Sequence, residues 1–182
     1  MSGFGAIFWG FLFKFDFRIQ GLDLLPNIIG YLFMYSGLGS LSSHSSEFGT
    51  AKKYSVPLAV LSLFSLYQVQ KPVGQVIFDP VSVGLLVVGL ITTVLDLILV
   101  YHLCLGIVDL AKNQSNDELQ DLARRRWKLY FLYTVIFAVW LPLGLIAPLL
   151  VAIGFIPMFI LSLMVLVLMM ILMNKSKDSL QD

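Results

Sequence analysis

Asp96 is the residue with the most chemistry to offer. It sits near the middle of VSVGLLVVGLITTVLDLILVYHLCLGIV, residues 81–108, whose other ionisable side chains are Tyr101, His102 and Cys104. A carboxyl group in so apolar a run is costly in hydrocarbon. It therefore marks a proton or cation site, a polar anchor for a solute, or an acid that locks helices together. Thr92, Thr93 and Gly89 precede it at helical spacing and share its face. His102 follows six residues on, about 240° around a helix, so the two make a poor acid–base pair within one helix. From elsewhere in the chain, Lys14 or Arg18 reaches Asp96 if the first segment folds inward. Asn27, Tyr31, Tyr35 and Gln68 are the other polar groups placed to meet it.

Other chemistries lack their residues. His44 and His102 are the only histidines, and HExxH, CxxC, GxSxG and a glycine-rich phosphate loop are all missing. No metal or cofactor is expected, and without a nucleophile–base constellation the chain reads as non-enzymatic. The one cysteine, Cys104, excludes an intramolecular disulfide, and a net charge of +1 gives no nucleic-acid footprint.

The elements that must position Asp96 are membrane helices. Of 182 residues, 58% are hydrophobic and 13% charged, against about 25% charged in a soluble domain. Mean hydropathy is +0.88, and the apolar residues come in long runs that lipid must solvate. The expected fold is all-α, one polytopic bundle over residues 1–182. It has five spans, at about 24–41, 54–69, 81–108, 129–151 and 156–173, after a short N-terminal segment.

That segment, 3–23, reads as interfacial or re-entrant, with a sixth short span as the alternative. Its apolar run of 11 residues is too short to cross alone. Lys14, Asp16, Arg18 and Asp23 then suggest interfacial anchoring, with basic side chains reaching headgroups. Residues 42–53 read as a polar loop. Ser115-Asn116-Asp117-Glu118 fits a capping box that starts a helix near Asn116. Between Leu129 and Met173 no charge occurs, and the turn between the last two spans is placed near Ala152–Pro157. The tail after Met173 reads as disordered.

Basic residues set the orientation. With the 109–128 loop inside, nine of the twelve Lys and Arg fall on the cytoplasmic side with the C-terminus, and Lys14, Arg18 and Lys71 fall outside. Arg124, Arg125, Arg126 and Lys128, followed by aromatic residues, form a collar at the inner interface. They serve as a topology signal or an anionic-lipid contact.

The stretch FDFRIQGLDLLPNIIGYLFMYSGL, 15–38, resembles the opening of a group of small multi-span membrane proteins of Gram-positive bacteria, which share its FDFRI–G–D–LP–IGY pattern. The resemblance covers about an eighth of the chain. It implies a bacterial plasma membrane and transfers no activity. In size and hydrophobicity the chain is also similar to the substrate-binding membrane subunits of energy-coupling-factor transporters, although their AxxxA motif is not found here.

Together these features point to small-solute transport or an accessory role in a membrane complex, with the bilayer and another membrane subunit as partners. The alternative is a structural or interaction protein, such as an immunity or assembly factor, in which Asp96 only ties helices together.

Overall fold

A computed structural model describes residues 3–14, 18–19, 22–23, 27–65, 80–146 and 148–180. They form six helices: α1 (Gly3–Phe13), α2 (Asn27–Leu41), α3 (Ser46–Ser62), α4 (Pro80–Asn113), α5 (Asp117–Ile146) and α6 (Pro148–Leu180). A short 3-10 turn, Leu63–Ser65, follows α3, and Arg18–Ile19 pairs antiparallel with Leu22–Asp23. Among the described residues, two helical stretches are long and apolar enough to cross a membrane, Val87–Asn113 and Ile153–Leu180. Consecutive helices pack on one another, and α6 packs back on α1. The bundle is thus a closed up-and-down ring.

Small residues fix the tightest contact in that ring. Gly3 and Gly10 on α1 meet Gly37 and Gly30 on α2, in antiparallel register. A Cβ on Gly10 would lie 2.9 Å from the Gly30 carbonyl oxygen, and one on Gly30 would lie 2.8 Å from that of Gly10. Close backbone approach of this kind brings two helices into extensive van der Waals contact. Phe4, Ile7 and Phe11 are buried as a result, against Met34, Leu38 and Leu41. The N-terminal segment is therefore a packed helix of the bundle. The start of α1 lies beside the end of α6, with Phe4 and Gly5 close to Met173, Asn174 and Lys177.

Several expected boundaries move. The loop over 42–53 is mostly helix: Ser45 caps α3 by accepting from the Glu47 amide at 3.3 Å, so the helix begins eight residues before Tyr54. The loop over 109–128 shrinks to a turn, because α4 continues to Asn113 and α5 starts at Asp117. There Asn116 acts as the cap, its Oδ1 accepting from the Leu119 amide at 3.1 Å. The last two helices part between Ile146 and Pro148, not at 152–157. Proline fits the first position of a helix, where its missing N–H has no carbonyl to serve. Gly154 instead gives the Trp140 ring room, since a Cβ there would come within 2.9 Å of Nε1. Pro157 lies inside α6, which runs on to Leu180 with Ser176 and Leu180 buried, so the tail is not disordered.

Candidate functional site

Helix lengths create the site. At 1.5 Å per residue α1 is about 16 Å long, whereas α5 and α6 reach about 45–50 Å. Lys14, which directly follows α1, therefore lies partway along the bundle, at the level of Asp96. Its Nζ donates to Asp96 Oδ1 at 2.5 Å and to the Tyr130 hydroxyl at 3.2 Å. Both charged side chains are 12% exposed. The Tyr31 hydroxyl donates to the same Oδ1 at 3.2 Å, and the Tyr130 hydroxyl donates to Oδ2. Rings of Phe11, Tyr31 and Tyr130 enclose the ammonium, with centroids 5.4–5.6 Å away. Buried charges persist when they are paired and their remaining polar valences are met. Here the residue that follows α1 and one residue each from α2, α4 and α5 make up one such network.

The network forms the polar end of a cleft of about 420 Å³ between α1, α5 and α6. Phe11, Lys14 and Tyr130 lie at that end. Tyr133, Phe137, Trp140, Phe155 and Phe159 supply aromatic walls, and Met158, Val165, Leu166 and Met169 complete the apolar lining. Tyr133 of α5 and Ser162 of α6 both line the cleft, on the α5–α6 side. The volume falls in the range of small-molecule sites, which are mostly apolar with a few fixed polar groups.

Of the residues nominated from the sequence, Lys14 and Tyr31 do meet Asp96. The interfacial position expected for Lys14 is overturned, because α1 ends inside the ring and carries the ammonium inward. Thr92 and Thr93 do not contribute to the site. Their hydroxyls donate back to the carbonyls of Val88 and Gly89, each at 2.8 Å, which is the usual outlet for threonine in an apolar helix. Asn27 is half-buried at the start of α2, and Tyr35 is exposed with the Lys52 ammonium 4.6 Å from its ring centroid. Neither is brought to Asp96. Gln68 and the side chain of Arg18 lie outside the described residues.

His102 belongs to a separate pair: its Nδ1 lies 2.6 Å from Glu47 Oε2, under the stacked ring of Tyr54. Arg124, Arg125 and Lys128 are exposed on α5, while Arg126 is half-buried, with its Nε lacking a partner among the described residues. No group of three or more His, Cys, Asp or Glu side chains gathers to hold a metal ion among the described residues.

Tyr130, the closest hydroxyl to Asp96, was hidden by its context, since it follows the basic collar and reads as part of an interfacial belt. The hairpin register carries the missing signal. Residues as far after Ser115 as Asp96 lies before it fall near Thr134, and Tyr130 is one helical turn short of that. No family model, curated protein or solved structure matches the chain.

Proposed function

We propose that the chain is a multi-pass protein of a bacterial plasma membrane and that it binds a small solute in the α1–α5–α6 cleft, for transport or as an accessory subunit. The observation that carries this reading is the aromatic cleft ending at the Lys14–Asp96 pair. A membrane setting is supported by the outer faces of α4, α5 and α6. Leu90, Val94, Leu132, Val139, Ile153 and Ile160 are all exposed, and only 17% of the most apolar stretch of α6 is buried. A soluble protein rarely exposes so extensive an apolar surface.

The orientation puts the turn at 114–116, both termini and the 42–45 connection in the cytoplasm, on the side of most basic residues. The reading includes no catalytic step. The cleft lining offers a solute apolar contact and a few hydrogen-bonding groups, with no activated nucleophile.

The test is water access. Cys104 is buried, so Ser162→Cys introduces the one accessible thiol in the cleft. In proteoliposomes it reacts with a small, charged methanethiosulfonate reagent if a solute can enter from water. Complete protection would leave only a lipid-facing groove and end the solute reading. A second reading, that of an interaction or assembly protein, is favoured by the Asp96 carboxylate being occupied by three internal donors. It predicts protection of Ser162→Cys together with co-purification of another membrane protein.

A further inference from the structure

The donors at the end of the cleft restrict what can bind there. An ammonium has three N–H groups. Lys14 directs one to Asp96 and one to Tyr130, which leaves the third with no oxygen or nitrogen acceptor among the described residues, only ring contacts, on a side chain that lines the cleft. The Tyr130 hydroxyl gives its proton to Asp96, and the Tyr133 and Ser162 hydroxyls belong to the cleft lining away from the pair. The Lys14–Asp96 pair is neutral as a unit. A cationic head would meet the ammonium, and an anionic head would meet the Asp96 carboxylate beside it, so neither gains what an isolated lysine would give. A neutral oxygen acceptor gains a charge-assisted hydrogen bond with no like charge to oppose it. The walls beyond are ring faces and edges of Tyr133, Phe137, Trp140, Phe155 and Phe159, which suit a flat ring system in offset or edge-on contact.

The geometry points to a neutral, ring-bearing apolar molecule with one carbonyl or ether oxygen as the ligand of this cleft, its oxygen accepting the third Lys14 proton. The inference rests on the cleft being a solute site, and it assigns the class of solute.

The experiment compares three probes of one shape: 2-acetylnaphthalene, naphthalene and 2-naphthoate. Each is dialysed to equilibrium against the wild-type protein in lipid nanodiscs, with empty nanodiscs as the blank. The expected result is binding of 2-acetylnaphthalene roughly tenfold tighter than naphthalene, the size of one hydrogen bond to a charged donor, and tighter than 2-naphthoate. In Lys14→Met/Asp96→Leu, which removes both charges together, the ketone and the hydrocarbon should bind alike.

Equal binding of ketone and hydrocarbon to the wild type would overturn the assigned head group and leave the cleft as a binding site. Tighter binding of 2-naphthoate would overturn the neutral assignment. Binding of none of the three above the blank would remove the solute site itself. The wild-type comparison decides between these outcomes whether or not the double variant folds.

Discussion

Lys14 and Asp96 are separated by 82 positions in the chain, yet their charged atoms sit 2.5 Å apart. One follows an 11-residue helix and the other lies deep within a 34-residue helix, and the contact exists because the short helix stops where the long one carries its acid. Two hydroxyls from α2 and α5 complete the arrangement, so four segments converge on one carboxylate.

Breaking that pair from one side should cost far more than removing it whole. Asp96→Asn leaves a nearly buried ammonium facing a neutral amide, and loss of one partner of a buried pair typically costs about 3–5 kcal/mol. Lys14→Met/Asp96→Leu leaves no charge behind and should fall within about 1–2 kcal/mol of the wild type, in either direction. Unfolding in detergent, followed by circular dichroism for the two single variants and the double, measures the difference. If the singles and the double lose stability additively, the coupling between the residues is absent.

The sequence carried the apolar runs, the acid within one of them and the helix start at Asn116, because these depend on local composition and on capping. The run Ser36-Gly37-Leu38-Gly39-Ser40 is small enough in side chain to let another helix come close. Its partner was hidden, because Gly3 and Gly10 are spaced seven apart in a segment that looks too short to matter. Which residues meet Asp96 depends on helix lengths and register, quantities set by where chains turn. The α5–α6 boundary was misplaced since Pro148, Gly154 and Pro157 are all helix breakers by type, and only the first sits where a helix begins. Glu47 was read as part of a polar loop, so its pairing with His102 had no helix to stand on. Tyr130 was similarly disguised by the basic residues before it.

The α1–α2 glycines and the open glycines of α4 should respond to the same substitution with opposite sign. At Gly30 a methyl group meets the Gly10 carbonyl and the Lys14 backbone nitrogen, so Gly30→Ala should destabilise the fold by about 1–3 kcal/mol through overpacking. At Gly89 nothing lies within 4 Å of an added Cβ, so Gly89→Ala should stabilise by about 0.5–1 kcal/mol through helix propensity alone. Thermal midpoints of both variants under one detergent condition read the two signs. A gain from Gly30→Ala would mean that α1 does not pack on α2 at this distance.

Ser115 is a second backbone position with a definite expectation. It has φ of 54°, a left-handed conformation, at the end of α4. The Ser115 amide bonds back to Lys112 at 3.1 Å, and the Asn116 amide bonds to Ala111 at 2.8 Å. This pair of bonds closes a helix on a residue that is usually glycine. Ser115→Gly relieves the side-chain strain at some cost in unfolded-state entropy, and a net gain of up to about 1 kcal/mol is expected. Ser115→Val, β-branched at positive φ, should lose stability instead. Equal midpoints for the two variants would contradict the left-handed turn.

The ion pair between Glu118 on α5 and Lys175 on α6 gives a pH signature outside the apolar part of the bundle. Lys175 Nζ donates to Glu118 Oε1 at 2.5 Å, and this hydrogen bond and the neighbouring positive charge lower the Glu118 pKa below its ordinary value of 4.5. Because the folded value is the lower one, the pair contributes fully above about pH 4.5. That contribution fades as pH falls through the folded value, where the carboxylate takes up a proton. Glu118 is fully exposed, so solvent screens the interaction and the effect on total stability should be small. The titration itself is the sharper readout. Carbon-detected NMR of the Glu118 carboxyl should place its midpoint below that of a free glutamate in the wild type, and back near 4.5 in Lys175→Met. An unchanged midpoint in the variant would show that the α5 and α6 ends do not meet at this pair, which would in turn loosen the register that brings Tyr133 opposite Ser162 farther along the same two helices.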